Sequence, residues 1–183
     1  FPFQRYAPNF LEETLGIAAD EASRLFSFFP ILAMLLTPFL GGFLDKKGKG
    51  ASMLILGAIL MISCHLIFAL VLPKFPNLLL AYSAIVVLGV SFSLVPAALW
   101  PSVPKIIDER ILGSAYCVIF WIQNWGLLLV PVVIGKVLDV TGGYTTPMII
   151  FSSFGVVALL IGMLLKVEDK KKNYGLELPN IKE

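Results

Sequence analysis

The chain has 183 residues, of which 58% are hydrophobic and 14% charged, with a formal net charge of +2 and a mean hydropathy of +0.89. A soluble domain is about half apolar and about a quarter charged, so a water-soluble globule is excluded. A net charge this small, not gathered on one face, leaves no footprint for nucleic acid. The apolar residues come in blocks of about 20, enough for a helix to cross a hydrocarbon core of about 30 Å. Strands of a membrane barrel would be about half as long and would alternate in polarity. The pattern predicts an all-α integral membrane protein in contact with a lipid bilayer.

In chain order, residues 1–10 open on FPF and read as the tail of a span that has just ended. No signal or transit peptide is visible, and the opening predicts a piece of a longer chain. Five complete spans are predicted, at about 24–44, 51–72, 78–101, 111–138 and 147–166. Residues 1–167 form the membrane part, and 168–183 a polar tail that is expected to be disordered. The links are short (GKG, PKFPN, PKIIDER and TGGYTTP), which predicts an up-and-down bundle of antiparallel neighbours. Lipid offers backbone groups no partner, so these segments are helices.

Lysine and arginine set the orientation. Lys46, Lys47, Lys49, Lys105, Arg110, Lys166, Lys170, Lys171, Lys172 and Lys182 fall on one side, and Arg5, Arg24, Lys74 and Lys136 on the other. The richer side is predicted to be cytosolic and to hold the C-terminus. Residues 11–23 then face the lumen or the outside. Cys64 and Cys117 both lie in apolar runs without a neighbouring ligand set, and are expected as buried free thiols. Nothing in the sequence calls for a metal or a cofactor. There is no H-E-x-x-H, no G-x-S-x-G and no paired intramembrane aspartate, so the chain does not read as an enzyme.

The stretch GGFLDKKGKG, residues 41–50, places Asp45, Lys46, Lys47 and Lys49 between two long uncharged runs. Gly41 lies one turn before Asp45, where another helix can come close. Asp45 lies near the C-terminus of its own helix, where the macrodipole disfavours an anion. It therefore calls for an outside partner, such as the N-terminus of a neighbouring helix. An ordinary positive-inside loop is the alternative. The pattern of Gly41, Asp45, Lys46, Gly48 and Lys49 resembles the cytosolic loop motif of the major facilitator superfamily. G126LLLVPVVIGKVLDVTGGY144 looks like the end of that superfamily's eleventh helix and its turn into the twelfth.

ALWP (98–101), LGSAY (112–116) and IQN (122–124), with FPF and the His65 span, narrow the resemblance. Together they are similar to the family of major facilitator superfamily domain-containing protein 1, lysosomal dipeptide transporters. The resemblance implies most of the C-terminal six-helix half: five complete spans plus the end of one more. It implies a multi-pass lysosomal membrane protein that moves dipeptides from lumen to cytosol by alternating access, as a uniporter without a cofactor. A carrier for another small organic solute, and a non-transporting membrane scaffold of the same superfamily, are the alternatives.

In that fold the seventh, eighth, tenth and eleventh helices face the central cavity, and the ninth and twelfth lie outside. This sorts the polar residues. Ser91, Ser93 and Trp100 fall on the tenth helix, and Tyr116, Gln123 and Asn124 on the eleventh. Trp100, Tyr116, Gln123 and Asn124 are the candidate substrate-binding residues. The two amides offer donors and acceptors suited to a peptide bond, and Trp100 offers a flat wall with one N–H. Helix–helix contact or an interfacial aromatic position is the alternative for each.

His65, on a helix the resemblance makes peripheral, is expected in a structural hydrogen bond to Ser63 or a nearby carbonyl. Gly41, Asp45, Lys46, Gly48 and Lys49 are expected to act as a conformational latch to the other half of the protein. No Asp, Glu, Lys or Arg lies deep in any complete span, and such residues are the usual mark of ion coupling. No Asn-x-Ser/Thr sequon is present. The resembled family depends on a heavily glycosylated lumenal accessory protein, the glycosylated lysosomal membrane protein, which implies such a partner.

Overall fold

The computed structural model describes residues 2–181. Phe1 of the FPF run, and Lys182 counted above on the cytosolic side, lie outside the described residues. A short 3-10 turn, Pro2–Arg5, leads into α1 (Ala7–Leu15). The long helices follow: α2 (Ala19–Lys47), α3 (Gly50–Leu66), α4 (Leu78–Ile106), α5 (Leu112–Thr141) and α6 (Thr145–Lys172). α3 runs on through a π-helical turn, Ile67–Val71, so that five helical segments are long and apolar enough to cross a membrane. No strand occurs among the described residues. The fold is the all-α membrane bundle that the apolar blocks predict.

α1 is an addition to the expected picture. Residues 1–10 read as the tail of a span and 11–23 as a stretch facing the lumen or the outside, but Ala7, Phe10 and Leu11 form a buried apolar face on a short helix that bridges the two. Four-residue periodicity places them together, and the helix ends at Gly16 in the left-handed region (φ 64°). α4 starts at Asn77, whose side-chain oxygen accepts from the N–H groups of Leu79 and Leu80. It passes through Pro96, Pro101 and Pro104 without a break.

Small residues let the helices meet closely, as in lipid they must. A Cβ at Gly89 of α4 would lie 2.9 Å from Leu32 of α2. One at Gly155 of α6 would lie 2.7 Å from Ile62 of α3. Ser91 Oγ donates to the Gly57 carbonyl at 2.7 Å, and the Cys64 thiol donates to the Ala84 carbonyl at 3.2 Å. An aromatic core closes the α1 end: Phe3 stacks on Phe68 at 5.6 Å, and Phe10 meets Phe68 edge-on at 5.4 Å.

α5 stands apart from this packing. Ile134 is its one buried residue among those described. Tyr6 ties it to the α1 end by donating from its hydroxyl to the Pro131 carbonyl at 2.7 Å. Cys117 on α5 is exposed, which corrects the expectation that both thiols are buried.

The polar tail departs most from expectation. It is ordered through Ile181 and folds back on the end of the bundle formed by the α2–α3 turn and the end of α4. α6 ends at Asn173 in the left-handed region (φ 55°), and the buried Asp169 accepts from the Leu176 N–H at 2.9 Å. Leu176 itself is 1% exposed. A low hydrophobic content forbids a core of the tail's own, but not docking against groups already in place.

Candidate functional site

Two places carry the polar chemistry. The first is the α2–α3 turn. Gly48 (φ 71°) and Lys49 (φ 66°) turn the chain in two left-handed residues. The tail then satisfies the free N–H groups at the start of α3. Lys49 N donates to the Glu177 carbonyl at 3.0 Å, and Gly50 N to the Leu176 carbonyl at 2.9 Å. The Glu177 carboxylate accepts from Ser52 N at 2.8 Å and from Ser52 Oγ, while Lys166 Nζ donates to Ser52 Oγ at 2.6 Å. A carboxylate here also meets the positive end of the helix dipole. Lys105, at the end of α4, donates to the carbonyls of Gly175 and Leu178.

Asp45 has a partner, but it is not a helix N-terminus. Its carboxylate accepts from Asn180 Nδ2 at 2.7 Å, and its backbone carbonyl accepts from the N–H groups of Asn180 and Ile181. Gly41 faces open space, with no described atom within 4 Å of a Cβ there. Within the described chain the close approach comes instead at Gly48, where a Cβ would lie 2.4 Å from the Glu177 carbonyl oxygen. Lys46 is exposed, as is the Lys49 side chain.

The second place lies along α4 and α5. Trp100 stacks on Phe120 with ring centroids 5.0 Å apart, and Tyr116 donates from its hydroxyl to the Trp100 carbonyl at 3.1 Å. Trp100 and Tyr116 therefore form one cluster. Gln123 is not part of it. Its side chain lines an apolar cavity of about 290 Å³ with Phe3, Gln4, His65, Phe92 and Phe154. Asn124 is exposed and donates back to the Phe120 carbonyl of its own helix at 2.8 Å. Adjacent helical residues point about 100° apart, so these two amides do not converge.

Ser91 and Ser93 do not face a cavity. Both are buried, and their hydroxyls bond to carbonyls of Gly57 and Gly89. The His65 ring points inward, 4% exposed and 5.1 Å from the Phe3 ring. Of the two expected partners, Ser63 or a nearby carbonyl, it takes a carbonyl: Nδ1 bonds to that of Met61 at 2.9 Å, while Nε2 has no hydrogen-bond partner among the described residues. Among the described residues no group of three or more His, Cys, Asp or Glu is gathered so as to hold a metal ion.

The model of the Major Facilitator Superfamily matches residues 6–178, nearly the whole chain. The chain belongs to the major facilitator superfamily. It is similar to proteins named lysosomal dipeptide transporter MFSD1: 34% identical over 178 residues to that of Danio rerio, covering 97% of this chain and 37% of the relative. Against the Bos taurus protein it is 30% identical over 90% of this chain and 34% of the relative. Against the Homo sapiens protein it is 28% identical over 96% and 36%. The chain thus spans about a third of the length of the curated relatives it matches.

Proposed function

We propose that this chain is part of a membrane transporter that moves dipeptides from the lysosome lumen to the cytosol by alternating access. The observation that carries the reading is the similarity along 97% of the chain to a protein named as a lysosomal dipeptide transporter. Superfamily transporters bind substrate near the midplane, between two pseudo-symmetric halves, and this chain would supply most of one half. α5, almost bare of packing within the chain, suits the face turned toward the other half. The Asp45 end lies in the cytosol, where the excess of lysine and arginine holds it.

In this reading Trp100 and Tyr116 form a wall for the peptide, and Gln123 offers an amide beside the apolar cavity. Asn124, on the open face of α5, gives one amide N–H to its own helix and keeps its oxygen and second N–H for substrate. Asp45, with Gly41, Lys46, Gly48 and Lys49 around it, latches this half to the other when the cytosolic side is shut. A glycosylated lumenal accessory protein shields the lumenal loops, and co-purification from detergent-solubilised lysosomes tests that part. Transport itself is tested by uptake of a labelled dipeptide into proteoliposomes holding the full-length protein. Saturable uptake, competed by unlabelled dipeptides and not by free amino acids, is the expected result. No uptake by correctly folded protein with its accessory partner present would overturn the assignment.

A further inference from the structure

We propose that the end of the C-terminal segment, Pro179–Ile181, is a built-in competitor for Asp45 that keeps the cytosolic latch from forming while it is docked. The inference rests on the latch reading above and adds the element that regulates it. The tail divides physically into an anchor and a tip. The anchor is deep: Leu176 is buried, Glu177 binds the start of α3, and Lys105 holds the carbonyls of Gly175 and Leu178. The tip is shallow. Pro179, Asn180 and Ile181 are exposed, and the tip is held by three polar bonds, made by Asn180 and Ile181 to Asp45.

Those three bonds take the backbone carbonyl of Asp45 and one oxygen of its carboxylate, Oδ1. A latch partner from elsewhere in the protein has to donate to that same carboxylate. The tip can leave without disturbing the anchor, because no bond of the anchor passes through residues 179–181. It loses only exposed hydrogen bonds, each of which contributes little net stability against water. Docked tip and formed latch are then alternative states of one carboxylate, and a small free-energy difference decides between them.

The test uses the full-length protein in proteoliposomes. Reporter cysteines are placed one at a time at Phe120 and Leu127, with other reactive thiols replaced by serine. Labelling by an impermeant maleimide from the cytosolic face is timed. Deleting residues 179–183 frees Asp45 for the latch and should slow labelling by about threefold, the size of one exposed hydrogen-bonded contact. Asn180→Ala should act in the same direction without shortening the chain. Asp45→Asn should speed labelling and abolish the effect of the deletion. If Asp45→Asn speeds labelling but neither tip variant changes it, the competitor proposal fails and the latch stands. If Asp45→Asn has no effect, the latch reading fails, and the tip is a surface contact only. An unchanged melting temperature for Asn180→Ala separates loss of the tip contact from unfolding.

Discussion

Trp100 is the residue on which the substrate proposal leans most. Its ring already stacks on Phe120, and Tyr116 bonds to its backbone rather than to its indole. The indole is therefore positioned by neighbours on α5 while remaining half-exposed. A rigid aromatic wall of this kind contributes binding energy at little cost in side-chain entropy. Trp100→Ala should lower dipeptide uptake about tenfold, equivalent to roughly 1.4 kcal/mol, with the protein still reaching its membrane. Tyr116→Phe keeps the ring and removes one hydrogen bond, so uptake should fall about threefold or less. Initial rates at low substrate, measured against membrane abundance, check both. If uptake survives Trp100→Ala unchanged, Trp100 is an interfacial aromatic and the site lies elsewhere.

At the scale of elements, the helices were legible and the tail was not. Blocks of about 20 apolar residues declare a span by length alone. The face each span turns inward is hidden, because a helix that is apolar all round carries no directional signal. That is why Gln123 and Asn124, adjacent in sequence, could be read as one pair although they point apart. The docking of Glu177 on α3 depends on backbone groups 125 residues away from it in sequence, and composition records nothing of that. The structure shows a physical stake in the contact. Glu177→Ala would leave the Ser52 N–H without its carboxylate at a helix start, where capping groups contribute about 1 kcal/mol. The full-length protein should lose about 1–2 kcal/mol of stability, and the tail should be cut faster by added protease. Glu177→Gln, which keeps the acceptor oxygen but not the charge, should fall between. Protection of the tail that is equal in all three proteins would mean that Leu176 alone holds it.

The whole molecule poses the question of energy coupling. The acidic and basic side chains of the five long helices lie toward their ends: Asp20, Glu21 and Arg24 begin α2, Lys136 and Asp139 lie near the end of α5, and Glu168–Lys172 end α6. The interior of this bundle is instead apolar, with His65 the one titratable ring lining the cavity among the described residues. A proton-coupled carrier needs a group that gains and loses charge as the cavity switches sides, and ionisable groups inside a membrane are usually there for that purpose. A carrier without one moves substrate only down its gradient. For one proton per dipeptide, a pH difference of two units is worth about 2.7 kcal/mol, or an accumulation of about a hundredfold at equilibrium. Facilitated transport brings the inside concentration only to the outside one. If the uniport reading implied by the resemblance holds for the other half as well, proteoliposomes loaded to give that pH difference should reach an accumulation ratio of about one, with the same endpoint whether or not an uncoupler is present. A ratio that climbs well above about ten and collapses with the uncoupler would mean a coupling group exists. His65→Gln then locates it: loss of accumulation would put the group in this bundle, and retention would put it in the two-thirds of the protein's relatives that this chain does not span.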